Sequence, residues 1–283
     1  MKDYTGSRNP GTTIVLFHFH EAFELCRSRI ALLRRLNAGL QIFGLYGGEP
    51  ASFVDTRTLE ACGVEHVHYD PEKTPAWNKK NTDLAVAGWY RSVGRSIPFD
   101  RVHVVQWDIL FFAPLHRVYP RIPECAVAFT GLVPLAQIAH FWDWMTYPSL
   151  AVNSQRLLAE VRDRFGYNSE PHACIGPGYS LSRRFLDLYS DLDVDDTGHD
   201  ELRLPLFAQI LGFDLVDTGF YPRWMDPEVE SVFNADAKEI DPALLESELA
   251  REGGRRVFHP CRERFDAATI ERLLGRVCDA EVS

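Results

Sequence analysis

The chain has 283 residues, 46% hydrophobic and 25% charged, a globular composition that excludes a disordered, collagenous or coiled-coil chain. Thirty Lys and Arg against 40 Asp and Glu leave a net charge of −10, so no global attraction draws it to nucleic acid or anionic membrane. The six cysteines, Cys26, Cys62, Cys125, Cys174, Cys261 and Cys278, form no C-x-x-C pair. That excludes a zinc knuckle and a thioredoxin-type motif, and reads as mostly buried thiols in a reducing compartment. The polar residues 1–11 lack the apolar stretch of a signal peptide, and no window reaches the ~20 apolar residues of a membrane span. A cytoplasmic protein is expected. Only five of the 30 basic residues are lysine, a bias that points to a GC-rich bacterial genome.

In chain order, the β-branched run Thr13–Phe19 predicts a buried strand, and apolar residues at helical spacing predict a helix over 21–36. Strands are expected at 40–46, Val64–Tyr69 and 100–106, with helices at 56–62 and 82–94 between them. This alternation predicts an α/β fold with a mostly parallel central sheet flanked by helices. The second half is less regular. Strands are expected at 126–130, 173–181 and 213–217, and helices at 154–165, 182–189, 201–211 and 268–277, with an aromatic, polar connector over 140–153. No internal repeat appears.

In open α/β sheets ligands bind beyond the carboxyl ends of the strands. That directs attention to His18-Phe19-His20, Tyr69-Asp70 and Gln106-Trp107-Asp108. No G-x-G-x-x-G follows the first strand, and no P-loop or G-x-S-x-G motif is present.

Asp108 after a hydrophobic strand, followed by Ile109, Leu110, Phe111 and Pro114-Leu115, resembles the D-x-D region of GT-A glycosyltransferases. Gly176-Pro177-Gly178-Tyr179 before Ser182-Arg183-Arg184 is similar to that family's glycine-rich loop. Gly198-His199-Asp200-Glu201 is similar to its acidic x-E-D motif, and Val257-Phe258-His259-Pro260 to its C-terminal histidine. These four pieces fall in the family's order across residues 13–260.

The resemblance implies one GT-A-like domain over 1–283, with a nucleotide- and metal-binding half at about 12–130 and an acceptor half at about 131–283. It implies transfer of a sugar from a nucleoside-diphosphate sugar to an acceptor hydroxyl, dependent on Mn2+ or Mg2+ and inverting. Asp108 and His259 are the implied metal ligands. Asp200 is the implied base, with Glu201 in its place if the register is off by one. Phe17, His18, Phe19, Tyr69, Asp70, Asn81, Gln106, Trp107, Asp108, Gly176 and Gly178 are the implied nucleotide and donor contacts; Trp142, Trp144 and Tyr179 are the acceptor contacts. Base, sugar, acceptor and oligomeric state have no signature in the sequence.

One departure stands out: the first acidic position of D-x-D is Gln106, so Asp108 alone supplies a carboxylate. That departure keeps open a non-catalytic binding module of the same fold; a sugar-activating nucleotidyltransferase, which shares a related α/β sheet, is the other reading, although its glycine- and lysine/arginine-rich triphosphate loop is missing after the first strand. Bland readings accompany each residue. Asp108 reads equally as the cap of a turn or helix, Asp200 and Glu201 favour a helix N-terminus, and Gly176 to Gly178 is first a turn. His18 and His20 lack a third partner for zinc. Lys79 and Lys80 read as a phosphate contact or a solvated helix start, and the 140–153 aromatics as a mobile acceptor loop or core.

Overall fold

The computed structural model describes residues 12–20, 23–52, 58, 61–236 and 238–282. Thr13–Phe19 forms β1, buried along its length apart from the first residue, as a strand with parallel neighbours on both sides must be. Helix α1 (Phe23–Leu36) buries Cys26, Ile30 and Leu33 against it, and full burial of Ile30 contributes about 1.5–3 kcal/mol. Strands β2 (Ile42–Tyr46), β3 (Val64–Tyr69) and β4 (Arg101–Gln106) complete the parallel half. Between β3 and β4 lie α2 (Pro75–Lys80) and α3 (Thr82–Ser92).

The rest of the chain contributes β5 (Leu110–Phe111), β6 (Ala126–Pro134), helix α4 (Pro148–Phe165) and β7 (His172–Ser182). It continues through α5 (Arg183–Asp191), α6 (Asp200–Ile210), β8 (Asp214–Asp217), α7 (Pro242–Ala250), β9 (Val257–Phe258) and α8 (Ala267–Val282). The seven-stranded sheet has the order β3-β2-β1-β4-β7-β6-β8, and only β7 runs against its neighbours. The expected α/β class, with a mostly parallel central sheet between helices, is therefore present.

Successive residues of β1 part to opposite faces. Ile14 and Leu16 join Trp89, Phe185 and Phe207 on one side; Val15 and Phe17 join Cys26, Ile30 and Val105 on the other. A third cluster, including Leu32, Phe112, Leu249, Phe258 and Leu273, seats the C-terminal segment against α1. Among the described residues no helix is long and apolar enough to cross a membrane.

Several boundaries differ from expectation for identifiable reasons. Helix α4 begins at Pro148, whose fixed φ suits the first helical turn, rather than at 154. A single helical turn at Asp143–Thr146 and the start of α4 occupy much of the expected connector, and another turn, Leu135–Ile138, precedes it. Helix α2 is additional to the expected set: Thr74 Oγ1 accepts from Trp77 N at 3.1 Å, and Pro75 follows the cap. Lys79 and Lys80 end this helix rather than beginning one. The helix expected at 56–62 falls mostly outside the described residues.

Candidate active site

The carboxyl ends of β1 and β4 lie side by side, with His18 in register with Gln106. Because β7 is antiparallel to β4, its first residues return to this same edge. A Cβ on Gly176 would lie 3.3 Å from Gln106 Nε2 and 3.6 Å from Glu201 Oε1, so glycine lets three segments approach here.

Beyond β4 the chain turns, with Ile109 N donating to Gln106 O at 3.1 Å. The turn buries Asp108, 7% exposed. The β5–β9 pair, with Leu110 opposite Phe258, carries His259 to the same place. Cys261 N donates to Asp108 O at 2.8 Å, and Arg29 on α1 donates to Cys261 O at 2.9 Å and to Glu263 O.

His259 Nε2 then stands 3.4 Å from Asp108 Oδ1. The other ring nitrogen, Nδ1, is 2.7 Å from the Asn234 carbonyl, which can only accept, so Nδ1 carries hydrogen. In the neutral ring Nε2 therefore aims a lone pair at a carboxylate oxygen that is buried without a hydrogen-bond partner. Burial pushes the Asp108 carboxyl up, but in the protonated form of His259 the imidazolium charge and an Nε2–H donated to the carboxylate outweigh it, and the group ends below its ordinary value. Two hard or borderline donors facing each other suit Mg2+ or Mn2+. Among the described residues no cluster of three His, Cys, Asp or Glu side chains forms a fuller cage, so further ligands would come from substrate or water.

The second arm is the start of α6. Asp200, 6% exposed, accepts from Thr82 N at 3.2 Å through Oδ2, and its Oδ1 lies 2.9 Å from His199 Nδ1. Burial raises the Asp200 carboxyl; His199, Arg203 and Thr82 more than reverse this, and it too lies below the ordinary value. Burial likewise pulls His199 down, but Asp200 and Glu201 lift it above normal. The His199 ring stacks on Trp144, with centroids 3.7 Å apart. Glu201 is engaged at both oxygens, accepting from Gly176 N at 2.8 Å and from Trp144 Nε1 at 3.1 Å; burial raises its pKa. Pro205 lacks the N–H that would bond the Glu201 carbonyl, and Cys174 Sγ donates there instead at 3.4 Å.

Helix α6 is fastened to α3 by a bidentate pair. Arg203 Nε and Nη2 meet Asp83 Oδ2 and Oδ1 at 2.8 and 2.5 Å. Arg203 also donates to Asn81 Oδ1 at 2.8 Å and to Thr197 O at 3.0 Å, and Tyr189 OH donates to Asp83 at 2.5 Å. Between the two arms, His18 is buried and held neutral with a pKa of about 4. Burial dominates and His20 adds to it, against a partial upward pull from Asp200 and Asp108. Its Nδ1 has no hydrogen-bond partner.

The structure brings together His18, Gln106, Asp108, Gly176, Asp200, Glu201 and His259 around these arms. The other sequence candidates are distributed differently. Phe17, Phe19 and Trp107 have their rings in the core, at 0%, 4% and 5% exposure. Asn81 is buried, with Oδ1 on Arg203 and Nδ2 donating to Trp77 O at 2.9 Å. Asp70 caps a turn at Glu72 N and, with His68, borders a different cavity, while the Tyr69 ring meets Tyr46 edge-on at 5.4 Å. Gly178 has φ +82° and accepts at its carbonyl from Tyr119 OH at 3.0 Å. Trp142 and Tyr179 are buried in the core, and Trp144 is pinned between His199 and Glu201. Sequence reasoning assigns no role to Thr82, Asp83, Arg203 or Asn234. His199 had a visible signal, an imidazole directly before two carboxylates at a helix start.

No family model matches the chain, and no curated protein sequence matches it. Among solved structures it is similar to one described as the apo structure of the WbbM bifunctional glycosyltransferase. That likeness has a TM-score of 0.42 and 10% identity, and covers 99% of this chain. The chain spans 53% of the length of that protein. It is also similar to a structure described only as a mycobacterial protein, with a TM-score of 0.38 and 18% identity over 74% of this chain and 66% of the other.

Proposed function

We propose that this chain is a glycosyltransferase that moves a sugar from a nucleoside-diphosphate donor to an acceptor hydroxyl, with inversion. A divalent cation, Mn2+ or Mg2+, would be held by Asp108 and His259. The observation that carries the reading is this pair: a buried carboxylate oxygen without a hydrogen bond, 3.4 Å from an imidazole nitrogen whose ring partner is committed to a backbone carbonyl. When bound, such a cation neutralises charge on a diphosphate leaving group. Asp200 takes the proton from the acceptor hydroxyl; its lowered pKa keeps it ionised at neutral pH, as a base must be before it acts. His199 and Thr82 N fix its orientation. Glu201, with both oxygens occupied, braces Gly176 and Trp144, and Trp144 borders the acceptor side.

The test is product analysis with a panel of UDP-, GDP- and dTDP-sugars, with Mn2+ and with chelator. Metal-stimulated release of nucleoside diphosphate, lost in Asp108→Asn and His259→Ala, is the expected result. Pyrophosphate formed from a nucleoside triphosphate and a sugar 1-phosphate would instead identify a nucleotidyltransferase. Neither product, with donor still bound, would identify a binding module.

A further inference from the structure

We infer that a cavity lined by none of Asp108, His259 and Asp200 binds a single sugar ring, free or phosphorylated. It has a volume of about 260 Å³ and lies between the ends of β2 and β3, helices α2 and α3, and the loop 192–194. Drug-sized ligands occupy pockets of roughly 300–1,000 Å³, so this one has room for one ring rather than a whole nucleotide sugar.

Its polar groups specify hydroxyls. Ser92 donates its own hydrogen to the Gly88 and Trp89 carbonyls at 3.0 and 3.1 Å, so at 3.2 Å it accepts from His68 Nδ1. That places the lone pair of neutral His68 on Nε2; burial lowers its pKa, with Asp70 opposing. Nε2 is 3.8 Å from where a Cβ on Gly88 would stand. Asp70 and Asp193 add carboxylate acceptors, and Lys73 and Arg91 add cationic donors. Trp77 is fixed by its indole N–H donating to Asp196 at 2.9 Å, with Lys73 Nζ 4.4 Å over its ring. Acceptors and donors around the apolar Leu84 and Ala85 match a ring that offers hydroxyls at its edge and C–H groups on its face. The two cations suit a phosphate substituent.

Gly88 is the second, independent observation. It lies inside α3, where glycine is disfavoured relative to alanine. Among the described residues nothing forbids a methyl there, because a Cβ would come within 4 Å only of His68 Nε2. The missing side chain keeps open a space that none of the described residues fills.

The experiment is saturation-transfer NMR on the full chain with glucose, galactose, mannose, N-acetylglucosamine and their 1-phosphates. At least one should receive saturation, with affinity reduced tenfold or more in Gly88→Ala and in His68→Leu and unchanged in Asp108→Asn. Gly88→Ala should melt at or above the wild-type temperature, so its loss of binding would not be loss of fold. The inference is overturned by silence across the panel, by binding that survives both cavity variants, or by binding that disappears in Asp108→Asn, which would assign it to the donor site. Because Asp108 is tested separately, failure here is distinguishable from failure of the transferase reading.

Discussion

Asp83→Ala removes the carboxylate from a pair in which both side chains are 0% exposed. It strands a guanidinium that keeps only the Thr197 carbonyl and the Asn81 amide oxygen, at 3.0 and 2.8 Å. Burial disfavours that charge; Asp83 is the main group that overcomes the penalty and raises the pKa of Arg203. Breaking one side of a buried pair typically costs about 3–5 kcal/mol, a large part of the ~5–15 kcal/mol that keeps a protein folded. At an m-value near 3 kcal/mol/M the urea midpoint should fall by about 1–2 M. Asp83→Leu combined with Arg203→Met should lose less than Asp83→Ala alone, because no charge is then left behind. A single-variant loss under about 1 kcal/mol, or a double variant less stable than the single, would refute the clamp. The position also matters: Thr82, beside Asp83, donates to Asp200, and Arg203 lies one helical turn beyond it. Even where Asp83→Ala stays folded, turnover should fall more than donor affinity.

Asp200→Asn should lower kcat by about 10²–10⁴ with donor binding kept; near-wild-type turnover, or a product that retains the anomeric configuration by NMR, would exclude it as the base. Stability should fall on both sides of pH 6.5. His18 is held at about 4 in the folded protein against 6.5 ordinarily, so its contribution is present above 6.5 and disappears as pH falls toward 4. That interval is worth roughly 3 kcal/mol at 1.36 kcal/mol per pH unit. His199 is raised, so its contribution is present below 6.5 and disappears as pH climbs through its folded pKa. His18→Asn and His199→Gln should each flatten one limb in urea unfolding against pH, and identical limbs in variant and wild type would exclude these assignments. Glu201→Gln should cost about 1–3 kcal/mol, since an amide cannot accept from both Gly176 N and Trp144 Nε1; adding Trp144→Phe should recover part of it.

The parallel half is legible because β1 and β4 are rich in β-branched residues and β2 is a short apolar run ended by Gly47-Gly48. A strand buried on both faces needs little more. Helix α2 escapes a periodicity search because six residues make barely two turns, although Thr74-Pro75 carries its start signal. The 140–153 aromatics fit no single helical face because a short turn and the start of α4 divide them, sending Trp142 to the core and Trp144 to Glu201. At the site, Asp108 and His259 are legible only through the order of four motifs; 3.4 Å between residues so far apart is a property of the β5–β9 pairing. Asp83 and Arg203 are separated by 120 residues, and a lone Asp in a helix start carries no mark of its partner.

The Asn234 carbonyl has a consequence for how this centre tolerates mutation. The group that orients His259 belongs to the main chain, so no exchange of side chain at 234 deletes it. What the Asn234 side chain does is hold the loop's course, donating through Nδ2 to the Glu230 and Lys238 carbonyls at 3.1 and 3.0 Å. The Asn234 amide also donates to the His259 carbonyl at 2.9 Å, and the His259 amide to the Val232 carbonyl at 3.3 Å, so the two strands of chain register each other. The tautomer is thus inherited from the path of the backbone. Point changes around it should be absorbed, whereas inserting or deleting one residue between 230 and 238 should turn the imidazole's lone pair away from Asp108 in a single step.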